Sequence, residues 1–369
     1  MKGQRKPAVL AGVLLAAILL GVGGIYAAEE FPDWQDRREV SGLCRGYLIH
    51  EDVGTFFGSQ RLVPRGIRLE DSDLEERCRV GSRNGFEAEV TVKLGWSDEM
   101  GQSTALHDPA FRLYEPLPAR EAGFVTADGD RRHVEVVVFL RCESTDRHIM
   151  AQVSGEMLLS AQGTLGVREA RALGSIAAGS ASRMGEDHEC APEEMPSLKK
   201  LDLPQPVSQA SSARSDFHSP SQATGTCASV KEERALLEVM RVETIRESAA
   251  GSSPIESCLL LAEEGREYWL NSWYGPYATE AVIGRGTTSF MMAWKDHAVA
   301  ERHSSVMRAW GVGECPTPYD TARFALRAGT SDSPEASYTE VELEAQRKLL
   351  NVFAAESAER HGCGELSLP

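Results

Sequence analysis

The hydropathy pattern divides the chain into an apolar opening and a long remainder in which apolar and polar positions alternate. From Ala8 to Ala28 no residue is charged; Lys2, Arg5 and Lys6 stand before this run, and Glu29 and Glu30 follow it at once. As a helix the run rises roughly 30 Å, the hydrocarbon thickness of a bilayer. Basic flanks stay on the cytoplasmic side, so residues 1–7 are expected inside, 8–28 as a single-pass transmembrane anchor, and the remainder outside the cytoplasm. The alternative is a secreted protein after signal cleavage. That alternative is the weaker one, because cleavage after Ala28 puts bulky Tyr26 at the −3 position and cleavage after Ala27 puts Ile25 there.

Beyond the anchor, one order of elements is predicted twice. A short helical pattern (Glu51 to Phe57; Lys231 to Met240) is followed by a strand (Arg77 to Val80; Ser257 to Leu261). A Gly-containing turn then leads to a second strand (Phe86 to Leu94; Glu267 to Trp273). The alternation of Val134 and Val136 makes His133 to Leu140 a strand, introduced by the turn Asp128-Gly129-Asp130. Each half closes on a longer amphipathic helix; in the second half Val341, Ala345, Leu349 and Val352 share a face, with Gly362 as its left-handed cap. The expected fold class is α+β: two tandem homologous domains, each an antiparallel sheet packed with a short N-terminal and a longer C-terminal helix.

The cysteines give the same division. Cys44, Cys78, Cys142 and Cys190 are spaced by 34, 64 and 48 residues; Cys227, Cys258, Cys315 and Cys363 by 31, 57 and 48. Eight cysteines with no C-x-x-C pair in an exported chain read as disulfides rather than as a zinc or redox site. Three pairings per half are open. The equal 48-residue interval favours Cys142 with Cys190 and Cys315 with Cys363, leaving Cys44 with Cys78 and Cys227 with Cys258. Local matches, Ser41-Gly42-Leu43-Cys44 beside Thr224-Gly225-Thr226-Cys227 and Leu173 to Arg183 beside Leu350 to Arg360, point to duplication. The repeats are expected at 29–190 and 224–369, joined by a Pro-, Ser- and Gln-rich solvated linker at 191–223.

A cysteine before a short helix ending in Gly, Cys44 to Gly58, and a second cysteine opening a strand, Cys78, resemble the small two-disulfide domains of secreted envelope proteins and sensor ectodomains in high-GC Gram-positive bacteria. The resemblance implies a helix on an antiparallel sheet, with ligand sensing or envelope interaction as the function. The second half departs from it by lacking the Gly at the helix end. The resemblance carries no catalytic residue.

Charge narrows the partners. The formal net charge is −16, and all three basic residues of the tail precede the anchor, so the exported part is more acidic still. Such a surface repels phosphate, and no nucleic-acid partner is expected. Catalytic chemistry is sparse: His297 and His303 are spaced too widely to share a helix face, and Gly284-Arg285-Gly286 lacks the third glycine of a phosphate loop. Ser197 to Lys200 lies in the polar linker, and Asp128-Gly129-Asp130 has too few oxygen ligands for calcium. No catalytic residue, metal or cofactor is assigned. Leu62-Val63-Pro64-Arg65-Gly66 reads as an exposed loop. The denser signal is aromatic: Tyr268, Trp269, Trp273, Tyr274 and Tyr277 within ten residues, read either as core packing or as a candidate binding face. The expected function is a membrane-anchored, non-enzymatic binding or interaction protein of the bacterial cell envelope, with another envelope protein or a polymer as ligand. An extracytoplasmic hydrolase with a dispersed site is the alternative.

Overall fold

The computed structural model describes residues 36–69, 76–100, 114–117, 123–190, 217–279, 299–316 and 320–369, apart from short breaks within them, together with residues 201 and 203. The anchor segment 8–28, Gly284-Arg285-Gly286, Ser197 to Lys200 and His297 lie outside the described residues. Among the described residues, no helix is long and apolar enough to cross a membrane.

The protein is a mixed α/β structure with two antiparallel sheets. The first part runs α1 (His50–Phe57), β1 (Leu62–Leu69), β2 (Glu76–Ser82), β3 (Ala88–Trp96), α2 (Ser97–Met100), β4 (Tyr114–Pro116), β5 (Gly123–Ala127), β6 (His133–Cys142), β7 (Arg147–Met157) and α3 (Val167–Asp187). The second runs α4 (Arg234–Val239), β8 (Val242–Glu247), β9 (Ile255–Ala262), β10 (Arg266–Tyr274), α5 (Pro276–Thr279), β11 (Val299–His303), β12 (Val306–Glu314), β13 (Thr321–Thr330), α6 (Glu340–Arg360) and β14 (Leu366–Ser367). The first sheet has the order β1-β2-β3-β7-β6-β5-β4, and the second β11-β12-β13-β10-β9-β8, with β14 on β12.

Alternation assigns the faces. Val134, Val136, Val138 and Leu140 of β6 pack with Leu173, Ile176 and Ala177 of α3 in one core. Leu270 and Tyr274 of β10 pack with Leu349, Leu350 and Phe353 of α6 in another. The opposite faces meet each other: Phe124, Val137 and Met150 of the first sheet are buried with Ile255, Trp273 and Ala325 of the second. The layers are therefore helix, sheet, sheet, helix. Gly155 is one place where closeness demands glycine, since a Cβ there would lie 2.9 Å from Phe56 and 3.0 Å from Leu173.

Both long helices start with a glutamate at the third helical position reaching back to the preceding backbone: Glu169 accepts from the Gly166 N–H at 2.9 Å, and Glu342 from the Thr339 N–H at 2.7 Å. Four disulfides close, Cys44–Cys78, Cys142–Cys190, Cys227–Cys258 and Cys315–Cys363, and no cysteine among the described residues is free. Such a set belongs to an oxidising, extracytoplasmic compartment.

Four expectations change. The helical pattern at 231–240 splits into a 3-10 turn, Ala228–Glu232, and α4, because Glu233 takes a non-helical ψ of 47°. Leu62-Val63-Pro64-Arg65-Gly66 is not a loop but part of edge strand β1, where a register shift between Pro64 and Ile67 accommodates the proline. Residues 191–223 are not wholly solvated: Leu201 and Leu203 are buried in the first core, Phe217 packs on Leu259 and Trp269, and His218 bridges to Ile245. Finally, the buried face of α6 only partly matches the expected one: Ala345 and Leu349 are buried, but Val341 is 64% exposed and Val352 only half-buried. Its buried face is centred on Leu343, Gln346, Leu350, Phe353 and Ser357 and also takes in Ala345, Leu349, Ala354 and Ala358.

Candidate functional site

Strand β10 carries four of the five aromatic residues, and both of its faces are covered. Tyr268 and Tyr274 point toward α6, and Trp269 and Trp273 toward the other side. Tyr277 follows on α5, after Gly275 turns the chain at a φ of 59°. All five are buried, so an exposed recognition face is not formed; the rings serve packing instead. The physical reason is cover on both faces: α6 lies over Tyr268 and Tyr274, the first sheet over Trp273, and Phe217 over Trp269.

Trp273 and Tyr277 lock the two sheets. Tyr277 is T-shaped to Phe124 and to Phe139 at centroid distances of 5.6 and 5.9 Å, and its hydroxyl donates to Sδ of Met150 at 3.5 Å. Burial, then the negative charge of Glu135, pushes the Tyr277 phenol well above its ordinary value of 10.0, so it stays a neutral donor. Beside it the Tyr114 N–H donates to Oγ of Ser248 at 3.2 Å, and the Ala249 N–H to Oε2 of Glu115 at 3.0 Å.

Under the C-terminal end of α6 lies a buried polar cluster. Ser357 Oγ donates to Oε2 of Glu256 at 2.7 Å and shares hydrogen bonds with Ser272 Oγ at 2.9 Å and the Tyr274 hydroxyl at 2.5 Å. Arg360 caps the same carboxylate with two bonds, Nη2 to Oε2 at 2.7 Å and Nε to Oε1 at 3.2 Å. His361 stacks on Tyr274 at 3.5 Å, its Nδ1 at 2.9 Å from the Ser357 carbonyl and its Nε2 at 2.9 Å from the Ser253 carbonyl.

A serine, a histidine and a glutamate this close invite comparison with a nucleophilic triad, but the order of contacts differs. In a triad the histidine takes the proton of the serine and the carboxylate orients the histidine. Here both ring nitrogens face backbone carbonyls, and Ser357 bonds to the carboxylate itself. The cluster ties α6, β9 and β10 together as a closed network. In the first core the ring of His188 lies against Trp96 in a T-shape at 5.1 Å, with Arg147 over the indole at 4.4 Å. The Asp128 N–H donates to the His133 carbonyl at 3.0 Å, and Oδ1 of Asp128 accepts from the His133 N–H at 3.0 Å, while Gly129 and Asp130 lie outside the described residues. Among the described residues no group of three or more His, Cys, Asp or Glu is placed to hold a metal ion.

Sequence reasoning passed over Glu256, Ser357, Arg360 and His361. Their one signal was polar residues at buried-stripe positions, Glu256 inside the apolar run Ile255 to Leu261 and Ser357 on α6.

No known protein family and no curated protein matches the chain. Among solved structures it is similar to DynU16 of the dynemicin biosynthetic locus, at 9% identity over 84% of this chain and 88% of that one, with a TM-score of 0.15. It is also similar to the MucA/MucB complex of Pseudomonas aeruginosa, at 10% identity over 75% and 92% of the two chains, with a TM-score of 0.14. Scores this low carry no argument about fold or function.

Proposed function

We propose that the chain is a membrane-anchored, extracytoplasmic protein of the cell envelope in which two tandem copies of one disulfide-linked α+β unit are fixed back to back, and that it acts by binding an envelope protein or polymer rather than by catalysis. The observation that carries this reading is the register shared by the two halves. The offset that takes Cys142 to Cys315 also takes Cys190 to Cys363, Val153 to Leu326 and the α3 start at Val167 to the α6 start at Glu340, which sets Leu173 on Gln346, one helical turn away from the pairing of Leu173 with Leu350 that the sequence match gives. Cys78 opposite Val92 corresponds to Cys258 opposite Leu270, so Trp96 falls on Tyr274 and His188 on His361, the two aromatic–histidine pairs. The anchor expected at 8–28 and the acidic exported surface favour a tethered module over a free enzyme.

The test uses the full-length chain in intact cells. External protease should digest it beyond Glu29, and crosslinking there followed by affinity capture should recover a specific envelope component that a variant lacking residues 8–28 fails to retain at the membrane. Complete protease protection of the region after Glu29, or turnover of a hydrolase substrate panel by the purified exported part, would sink the reading.

A further inference from the structure

The four disulfides differ in exposure. Cys44 and Cys78, Cys142 and Cys190, and Cys227 and Cys258 are each 5% exposed or less. Cys315 and Cys363 are only half-buried, at the rim of the second core. Thiol–disulfide exchange requires a thiolate to reach one of the two sulfurs, so the fold shields three bonds and presents the fourth. The bond of equal sequence separation in the first half, Cys142–Cys190, is buried at 0% and 3%, so a bond of this span has no inherent need to face solvent.

What the exposed bond holds is small and separable. The end of α6 is fixed without it: Arg360 is held by Glu256 at 2.7 Å, and His361 by the Ser253 carbonyl at 2.9 Å. Beyond Cys363 the chain crosses to β12, where the Gly364 N–H donates to the Glu314 carbonyl at 2.8 Å. There β14 pairs over two residues, Leu366 opposite Gly313 and Ser367 opposite Val312. Leu366 and Leu368 are half-buried, seated over two glycines of β12. A Cβ at Gly313 or Gly311 would stand 2.7 or 2.5 Å from their Cδ2 atoms. On the same edge β11 pairs with β12 from Val306 to Trp310, so β14 covers the stretch that β11 leaves open. Two paired residues make a strand at the short limit, and the bond at Cys363 keeps it at its place by proximity.

We propose that Cys315–Cys363 is a redox-sensitive clasp, which a dithiol reduces selectively and whose opening lets β14 leave the edge of β12. A thiolate of the dithiol attacks one sulfur and forms a mixed disulfide, and the other cysteine leaves as a thiolate that takes up a proton. The second thiol of the reductant gives up its proton and attacks the mixed disulfide. The reductant ends as a disulfide and Cys315 and Cys363 as thiols, two electrons having passed. Residues 311–314 of β12 then present backbone groups to which an extended segment can add. The clasp depends neither on the two-copy reading nor on envelope binding.

The full chain in its oxidised form, treated with dithiothreitol without denaturant, quenched with iodoacetamide and mapped by mass spectrometry, tests this. Cys315 and Cys363 should be alkylated together, at least about tenfold faster than the cysteines of the buried pairs. Hydrogen exchange of the selectively reduced chain should speed up at residues 363–369 and 311–314, while the segments around Tyr274 and Ser357 stay protected. The double variant Cys315→Ser with Cys363→Ser should exchange as fast before any reductant is added. Should that variant misfold, reoxidation of the reduced wild type with oxidised dithiothreitol, which should restore slow exchange, takes its place. Reduction of another pair first, simultaneous loss of all four bonds, or a selective cut that leaves exchange unchanged would each overturn the clasp.

Discussion

Tyr277 and Met150 are 127 residues apart in sequence and joined by an O–H···S hydrogen bond of 3.5 Å across the junction of the two sheets. Around them Phe124, Val137, Ile255, Trp273 and Ala325 exclude water, so the junction is a core in its own right. Trp273→Ala and Tyr277→Ala should each destabilise by about 3–5 kcal/mol, whereas Tyr277→Phe should lose only about 1 kcal/mol with its hydrogen bond. Denaturant unfolding followed by intrinsic fluorescence checks this, and the alanine variants should broaden a single transition into two as the halves uncouple. An unchanged midpoint for Tyr277→Ala would contradict the junction.

The Glu256–Arg360 pair is buried on the glutamate side, with the carboxylate side chain 1% exposed. Arg360→Met removes one partner and strands the other, so a loss of about 3–5 kcal/mol is expected. The double variant Glu256→Leu with Arg360→Met should recover most of it, because an apolar pair in the same space has no charge to desolvate. A double variant as unstable as the single one would refute this account.

Stability should also depend on pH through Glu342. Burial raises its pKa, but the Thr339 N–H and hydroxyl and the Arg266 guanidinium outweigh burial and hold it below the ordinary 4.5. A carboxyl with a depressed folded pKa contributes stability that is present above pH 4.5 and is lost as pH falls through its folded value. The stability gap between wild type and Glu342→Gln should thus be largest near neutrality and shrink below pH 4.5. Melting curves across that range would show it, and a gap that widens on acidification would reverse the sign.

The partly shifted face of α6 gives a direct comparison on one helix. Val341→Lys, at a position 64% exposed, should change stability by no more than about 0.5 kcal/mol, while Leu349→Ala, at a position 0% exposed, should lose about 2–5 kcal/mol. Equal effects would contradict the exposure of Val341 and restore the face that the sequence pattern predicts.

Much of this architecture was legible because cysteines and strand patterns leave direct traces. The repeated 48-residue interval marked the pairs Cys142–Cys190 and Cys315–Cys363, and the alternation in His133 to Leu140 marked β6 to within two residues of its end at Cys142. The face of α6 was legible only in part, at Ala345 and Leu349, because Gln346 and Ser357 occupy the middle of its buried face and interrupt the apolar period that would have centred it. Alternation along β10 placed its tryptophans and tyrosines on opposite faces. It could not say that both faces were covered, since that depends on a second sheet far away in sequence.

The back-to-back layering also has a consequence for either half taken alone. Phe124, Val137 and Met150 on one side, and Ile255, Trp273 and Ala325 on the other, face an apolar neighbour rather than water. Neither half could now be exported alone without showing that patch to solvent, where it would seek another surface. Deletion of either half would therefore strip the other of its cover as well as of its neighbour.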